Sequence, residues 1–187
     1  MTSQLEAFLS YYIPDLDLNP LLEKFSEKKI KKSQLLLKPG MKCNYLAFIQ
    51  EGVFKVYYFD LNGKEIVTWF SYSDMVITDL LGFYTSGVAR FYVEAMEDSL
   101  LYKISRENLA SIYSKRPVYR KFGQLFAEEA LTMLMQRTMS LHTKSAEERY
   151  KELLQVPELM HKIPLKYLAS YLGITDTSLS RIRKNIR

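Results

Sequence analysis

The side chains best spaced to engage a polyanion lie in Leu165 to Lys184, LKYLASYLGITDTSLSRIRK, where Arg181, Arg183 and Lys184 close the run and Arg187 follows. Guanidinium and ammonium groups near a helix C-terminus suit the macrodipole, and they also meet phosphates, so the cations alone leave both roles open. Other reactive residue types are sparse. The single Cys43 excludes an internal disulfide framework and a four-thiolate cluster, and it fits a reducing compartment. Only His142 and His161 could serve as imidazole ligands or bases, and no Ser-His-Asp or Cys-His constellation can be assembled. No catalytic residue and no metal site are expected.

The elements that must position the basic run follow from its spacing. Leu168, Leu172, Ile174, Leu179 and Ile182 form an apolar set that packs two short helices, with Ala169 allowing close approach and Gly173 the turn. Thr175 can cap the second helix, with Ser178 at its third position. This is a helix-turn-helix pattern. An ordinary helical hairpin is the competing reading. Charge distribution favours the first: residues 1–112 hold 12 Lys and Arg against 14 Asp and Glu, whereas residues 113–187 hold 14 against 7. The net charge of +5 therefore originates in the segment with the helix-turn-helix pattern, and a polyanion partner is the natural inference.

The chain has 187 residues, 48% of them hydrophobic, enough for one or two cores without disulfides. No run reaches the roughly 20 apolar residues of a membrane span, and MTSQLEAFLSYY lacks the features of a signal peptide, so a cytoplasmic protein without a membrane partner is expected. Residues 1–29 read as two helical pieces broken around Pro14 to Pro20. The cluster Lys28, Lys29, Lys31 and Lys32 reads as a solvated charge run.

From Ile30 to Ile104, short apolar or alternating runs are punctuated by Pro39-Gly40, Glu51-Gly52, Asn62-Gly63, Tyr72-Ser73-Asp74 and Glu97-Asp98, as in a β-sandwich or barrel of the jelly-roll class. Asn62-Gly63 predicts a type I′ hairpin turn. A short helix is expected around Arg106 to Ser114. From Pro117 to about Leu141, Phe122, Leu125, Phe126, Leu131, Leu134, Met135, Thr138 and Leu141 recur at three-and-four spacing, predicting one long amphipathic helix. Its length leaves apolar surface for a second subunit. Ser145 and Glu148 form a capping box for a further helix, and Pro157 and Pro164 leave room between them for little more than a turn or strand remnant.

This order of parts resembles the Crp/Fnr transcription regulators: a β-roll with Gly52-Val53-Phe54-Lys55, a connecting helix, and LASYLGITDTSLSRIRK at the C-terminus. VEAMEDSLLYKISRENL is similar to the last strands of the family's cyclic-nucleotide-binding roll and its next helix. The resemblance implies an α+β protein with an N-terminal double-stranded β-helix over residues 1–116, a dimerisation helix over 117–142, and a helix-turn-helix domain over 143–187. It implies a homodimer reading double-stranded DNA.

Residue by residue, the resemblance weakens at the effector pocket. Nucleotide-binding members use a Gly-Glu pair and a later Arg-Ser/Thr-Ala, and aligning back from Val93 puts Thr78-Asp79 and Ala89-Arg90-Phe91 there. With Leu80, these six residues form the implied pocket. Asp79 keeps a carboxylate for a ribose hydroxyl and Arg90 reaches the phosphate position only by a one-residue slip, while Phe91 is expected to close the space. Structural roles for Asp79 and Arg90, no cyclic AMP and no cofactor are the expectation, and the effector is left open as an unknown small molecule, a protein, or nothing.

On the recognition helix, Arg181 falls on the family's base-reading Arg, where a bidentate contact to guanine gives about 1–3 kcal/mol of discrimination. Asp176 and Thr177 replace the common Arg and Glu, so base preference should differ. Thr175, Thr177, Ser178 and Ser180 are candidates for phosphate, methyl or water-mediated contacts, with Lys184 on the DNA backbone and Asp176 stabilising the helix start. The sequence ends at Arg187 before the family's wing, which predicts lower intrinsic affinity. Two other readings compete with it: a nucleotide- or partner-binding module without DNA activity, and a cupin-type enzyme, for which both His residues lie outside the roll.

Overall fold

A computed structural model describes residues 3–85 and 87–186, so Arg187 lies outside the described residues. The chain begins with α1 (Ser3–Tyr12) and α2 (Asn19–Leu22). The strands then run β1 (Ser26–Ile30), β2 (Leu35–Leu37), β3 (Tyr45–Glu51), β4 (Val53–Phe59), β5 (Glu65–Tyr72) and β6 (Val76–Ile77). A one-turn α3 (Leu80–Tyr84) precedes β7 (Tyr92–Ala95) and β8 (Ser99–Ser105). After α4 (Arg106–Lys115) and a 3-10 turn at Pro117–Tyr119 come α5 (Arg120–Thr143), α6 (Ala146–Leu153), α7 (Pro157–Lys162), α8 (Leu165–Leu172) and α9 (Asp176–Ile186).

The strands form two four-stranded antiparallel sheets, ordered β1-β8-β3-β6 and β2-β7-β4-β5. Ile30, Leu46, Phe48 and Leu101 from one sheet share a core with Leu37, Phe54, Val56 and Val93 from the other. The protein is α+β, with two antiparallel sheets and one long helix. α1 closes one end of the roll through Phe8 and Tyr12, whose rings meet Phe122 of α5 at 6.3 and 5.6 Å, within the range of favourable aromatic pairs.

Local chemistry changes three expectations. β1 begins at Ser26, so Lys28 and Lys29 lie on an exposed strand paired with β8 instead of on a helical approach to it. The β4–β5 hairpin is not type I′, because Gly63 alone adopts a positive φ, +76°, and Asn62 does not. Asp60 explains the difference: its carboxylate accepts from the amides of Asn62 and Lys64, both at 2.9 Å, and its carbonyl accepts from Gly63 at 3.0 Å. That Asx-capped loop needs one left-handed residue, supplied by glycine. Finally, Pro157–Lys162 is a helix, not a strand remnant, with Pro157 at its first turn where no amide is needed.

β4 is unusual in being buried on both faces through Tyr57. Phe54 and Val56 point into the roll, while Val53 and Tyr57 join a second core with Val67 and Phe70 of β5, Leu159 and Ile163 from the α7 region, Leu168 and Leu172 of α8, and Leu179 of α9. The C-terminal helices are therefore seated on the outer face of the roll.

Candidate nucleic-acid face and effector cavity

Leu168, Ala169, Leu172 and Leu179 are buried where α8 and α9 meet, with Ile174 and Ile182 packed beside them. Gly173 takes a left-handed φ of +70°, and the Ile174 amide reaches back to the Ala169 carbonyl at 3.0 Å, ending α8 in the glycine-dependent manner its sequence predicts. Thr175 Oγ1 accepts from the Ser178 amide at 3.2 Å, supplying the start of α9. Thr177, Arg181 and Lys184, spaced four and three residues apart, form an exposed stripe opposite the buried Leu179, with Ser180 half-buried beside it. Thr175, Asp176 and Arg183 are exposed and Ser178 is half-buried at the cap. Among the described residues, Arg181, Arg183 and Lys184 take part in no ion pair.

What holds this pair of helices to the roll is polar as well as apolar. Ser170 Oγ accepts from the Val67 amide at 2.9 Å and lies 3.3 Å from the Glu65 carbonyl, covering the free edge of β5. Tyr171 packs on Phe70 with ring centroids 5.2 Å apart. Lys162 pairs with Glu97 at 2.7 Å.

Between the apolar contacts sits Lys55, only 1% exposed, with Nζ 2.5 Å from Glu65 and 3.4 Å from Glu94. Its ammonium lies 3.9 Å from the Tyr167 ring centroid and 4.3 Å from that of Tyr57. Burial pulls the Lys55 pKa down, but the bond to Glu65, the Tyr167 contact and the charges of Glu94 and Glu65 outweigh it, and the net direction is upward. Tyr57 completes the set by donating to Glu94 at 3.0 Å, and burial first, then Glu94, pushes its own pKa up. None of these residues was singled out by sequence as functional. The available signal was a lysine inside the apolar run VFKVYYF.

The pocket residues separate. Thr78, Asp79, Leu80 and Phe91 line a cavity of about 520 Å³ between the roll, α5 and α8, whereas Ala89 is buried in the core and Arg90 is exposed, neither forming a wall. Phe91 does not close the space as expected. It stands against Tyr58 at 6.3 Å and forms one apolar wall. Thr78 donates to the Tyr45 carbonyl at 2.9 Å.

Asp79 is 2% exposed and caps α3 by accepting from the Gly82 amide at 3.0 Å, while its second oxygen accepts from the amides of Arg90 at 2.5 Å and Phe91 at 3.1 Å. Three converging backbone N–H groups make an anion cradle, and the chain's own carboxylate fills it.

α5 forms the other side of this cavity. Phe122 and Phe126 are buried in its first turns, but Leu131, Leu134, Met135, Met139 and Leu141 are 44–61% exposed. Arg137 lies beyond the first turns, donating through Nη2 to the Tyr171 carbonyl and covering that ring at 3.7 Å, so it ties α5 to α8. The Ser145 and Glu148 capping box is present at α6, as its spacing predicts. Among the described residues there is no cluster of three metal-ligating side chains and no helix long and apolar enough to cross a membrane.

Residues 27–116 match the family model of the cyclic nucleotide-binding domain. Beyond that segment the likeness is one of fold. FixK2 from Bradyrhizobium japonicum superposes with a TM-score of 0.73 at 19% identity, over 87% of this chain and 84% of its own. A CooA mutant from Carboxydothermus hydrogenoformans gives 0.68 at 20% identity, covering 98% and 84%. A putative transcriptional regulator of the Crp/Fnr family from Eubacterium rectale gives 0.66 at 20%, covering 92% and 84%. No curated protein matches in sequence.

Proposed function

We propose that the protein is a Crp/Fnr-type transcription regulator, a cytoplasmic homodimer that reads a two-fold-symmetric DNA site through α9. The observation that carries this reading is the exposed stripe of Thr177, Arg181 and Lys184 on a helix packed against α8, which is itself seated on the roll. Hydroxyl and cationic donors on one helix face match base edges and phosphates of a major groove. Arg181 makes the base contact, Lys184 the backbone contact, and Thr175, Thr177, Ser178 and Ser180 supply adaptable hydrogen bonds. The functional units are residues 1–116, 117–142 and 143–187, the middle one supplying the subunit contact through the unpartnered apolar face of α5.

The effector pocket in this reading is degenerate. A cyclic phosphate requires a cationic fork and free amides, whereas the cradle amides are bonded to Asp79 and Arg90 is turned out. Cyclic AMP should neither bind nor alter DNA affinity, and the protein acts by binding, not by catalysis. Selection of genomic fragments with the purified protein, followed by anisotropy with and without cyclic AMP, tests both parts: a symmetric consensus with nucleotide-independent affinity is expected. A cyclic-AMP-dependent gain of tenfold or more would refute the degenerate pocket.

A further inference from the structure

The cavity between the roll and α5 has two ends of different chemistry. Its walls are largely apolar, with Val56, Trp69, Phe91, Met133 and Leu134 among them, and Asp79 at the roll side is hydrogen-bonded by three amides. At the α8 side stands Arg137, which also borders the neighbouring groove between α5 and α6. Among the described residues it has no carboxylate partner: its hydrogen bond goes to the neutral Tyr171 carbonyl, and its flat face lies on the Tyr171 ring. Burial depresses its pKa, a sign that the charge is incompletely solvated, although a guanidinium remains protonated. A partly desolvated cation beside an apolar cavity favours an incoming anion, because the Coulomb attraction is strong there and the anion brings hydrogen-bond acceptors.

We propose that the cavity binds a small apolar or aromatic molecule bearing a single anionic group, seated with its apolar body against Trp69 and Phe91 and its charge on Arg137. The volume of about 520 Å³ suits a ligand of drug-like size. A cyclic nucleotide seated with its phosphate at the roll side, where nucleotide-binding members hold it, is a poor fit, since the phosphate would face the Asp79 carboxylate. Tyr171 and Ser170 of α8 also line the cavity, so an occupant contacts the element that carries the DNA-reading helix. This deepens the regulator reading and rests on it for the consequence at DNA. Ligand binding itself does not.

The test uses the full chain and two fluorescent probes, 1-anilinonaphthalene-8-sulfonate and its uncharged relative N-phenyl-1-naphthylamine. The sulfonate should bind at one site per chain, at least tenfold tighter than the uncharged probe, and cyclic AMP should not displace it. Arg137→Gln retains a donor for Tyr171 and should weaken the sulfonate about tenfold or more, the loss of one charge-assisted bond, with N-phenyl-1-naphthylamine unchanged. Arg137→Lys should restore most of the difference. Ala130→Trp, or Ile66→Trp from the strand side, fills the cavity and should weaken both probes, with circular dichroism and melting confirming the fold. Sulfonate binding that ignores the filling variants would place the probe on the exposed α5 face and overturn the proposal. So would equal losses of both probes in Arg137→Gln, or displacement by cyclic AMP. Adding the sulfonate to a DNA titration separates the two readings: probe binding without any DNA binding retains the cavity and rejects the regulator.

Discussion

Arg181 and Lys184 lie on one stripe of α9, but the chemistry assigned to them differs. Arg181→Ala should relax preference at a single base position at a cost of about 1–3 kcal/mol, read by titrating a panel of single-base variants. Lys184→Ala should weaken binding to all of them alike and reduce the slope of log affinity against log salt by about one. Lys55 makes a different kind of contribution, since removing one partner of a buried charged set leaves Glu65 and Glu94 uncompensated. Lys55→Ala should cost about 3–5 kcal/mol in chemical denaturation, and Lys55→Met less because it keeps the packing. The folded pKa of Lys55 lies above its ordinary 10.5, so the cluster's contribution is complete below that pH and is lost as pH rises through the folded value. Stability measured from about pH 9 to 12 should therefore fall more steeply for wild type than for Lys55→Met. The exposed stripe of α9 was legible because its helix carries its own cap, turn glycine and period. Lys55 was not, because its partners come from β5, β7 and α8, and a lone lysine in a strand has no local signature of burial.

At the scale of elements, α5 divides into two parts. Phe122 and Phe126 bind it to α1 and the roll, while Met135 and Met139, each 61% exposed, project from a helix whose 24 residues span about 36 Å. If that face is the subunit contact, Met135→Glu with Met139→Glu should give monomers by sedimentation velocity, with far-UV circular dichroism unchanged and the full symmetric DNA site bound no better than a half-site. Unchanged dimers would place the contact elsewhere. Sequence periodicity located this helix within a few residues, and the capping box at Ser145 located α6, because both signals are local. The hairpin loop was misread for a local reason too: the Asp60 carboxylate competes for the turn amides, and Asn62-Gly63 considered by itself omits it. The β1 boundary was missed because an edge strand with four exposed residues carries no apolar alternation.

For the whole molecule, the consequential feature is the seating of α8 on the outer face of the roll. Both faces of β4 are covered, so the roll and the C-terminal helices share a boundary built from Ser170, Tyr171, Tyr167 and the Lys55 cluster. Ser170→Ala should release the Val67 amide, and hydrogen exchange at that amide should accelerate while the amides of β3 and β8, in the other sheet, keep their protection. The pocket residues illustrate why such tertiary features escape a sequence: the alignment placed Asp79, Arg90 and Phe91 near one another, but the backbone turns the Arg90 side chain outward and hands its amide to Asp79. The cavity that results is apolar and bordered by α8, a relation between residues roughly 80 to 100 positions apart. The central claim, that this assembly reads DNA through α9, is tested most directly by selecting genomic fragments with wild-type protein and with Arg181→Ala in parallel. A two-fold-symmetric consensus, bound far tighter than competitor and losing information at one position per half-site in Arg181→Ala, is the predicted result. Failure of wild type to enrich any sequence, or an identical consensus from both proteins, would contradict it.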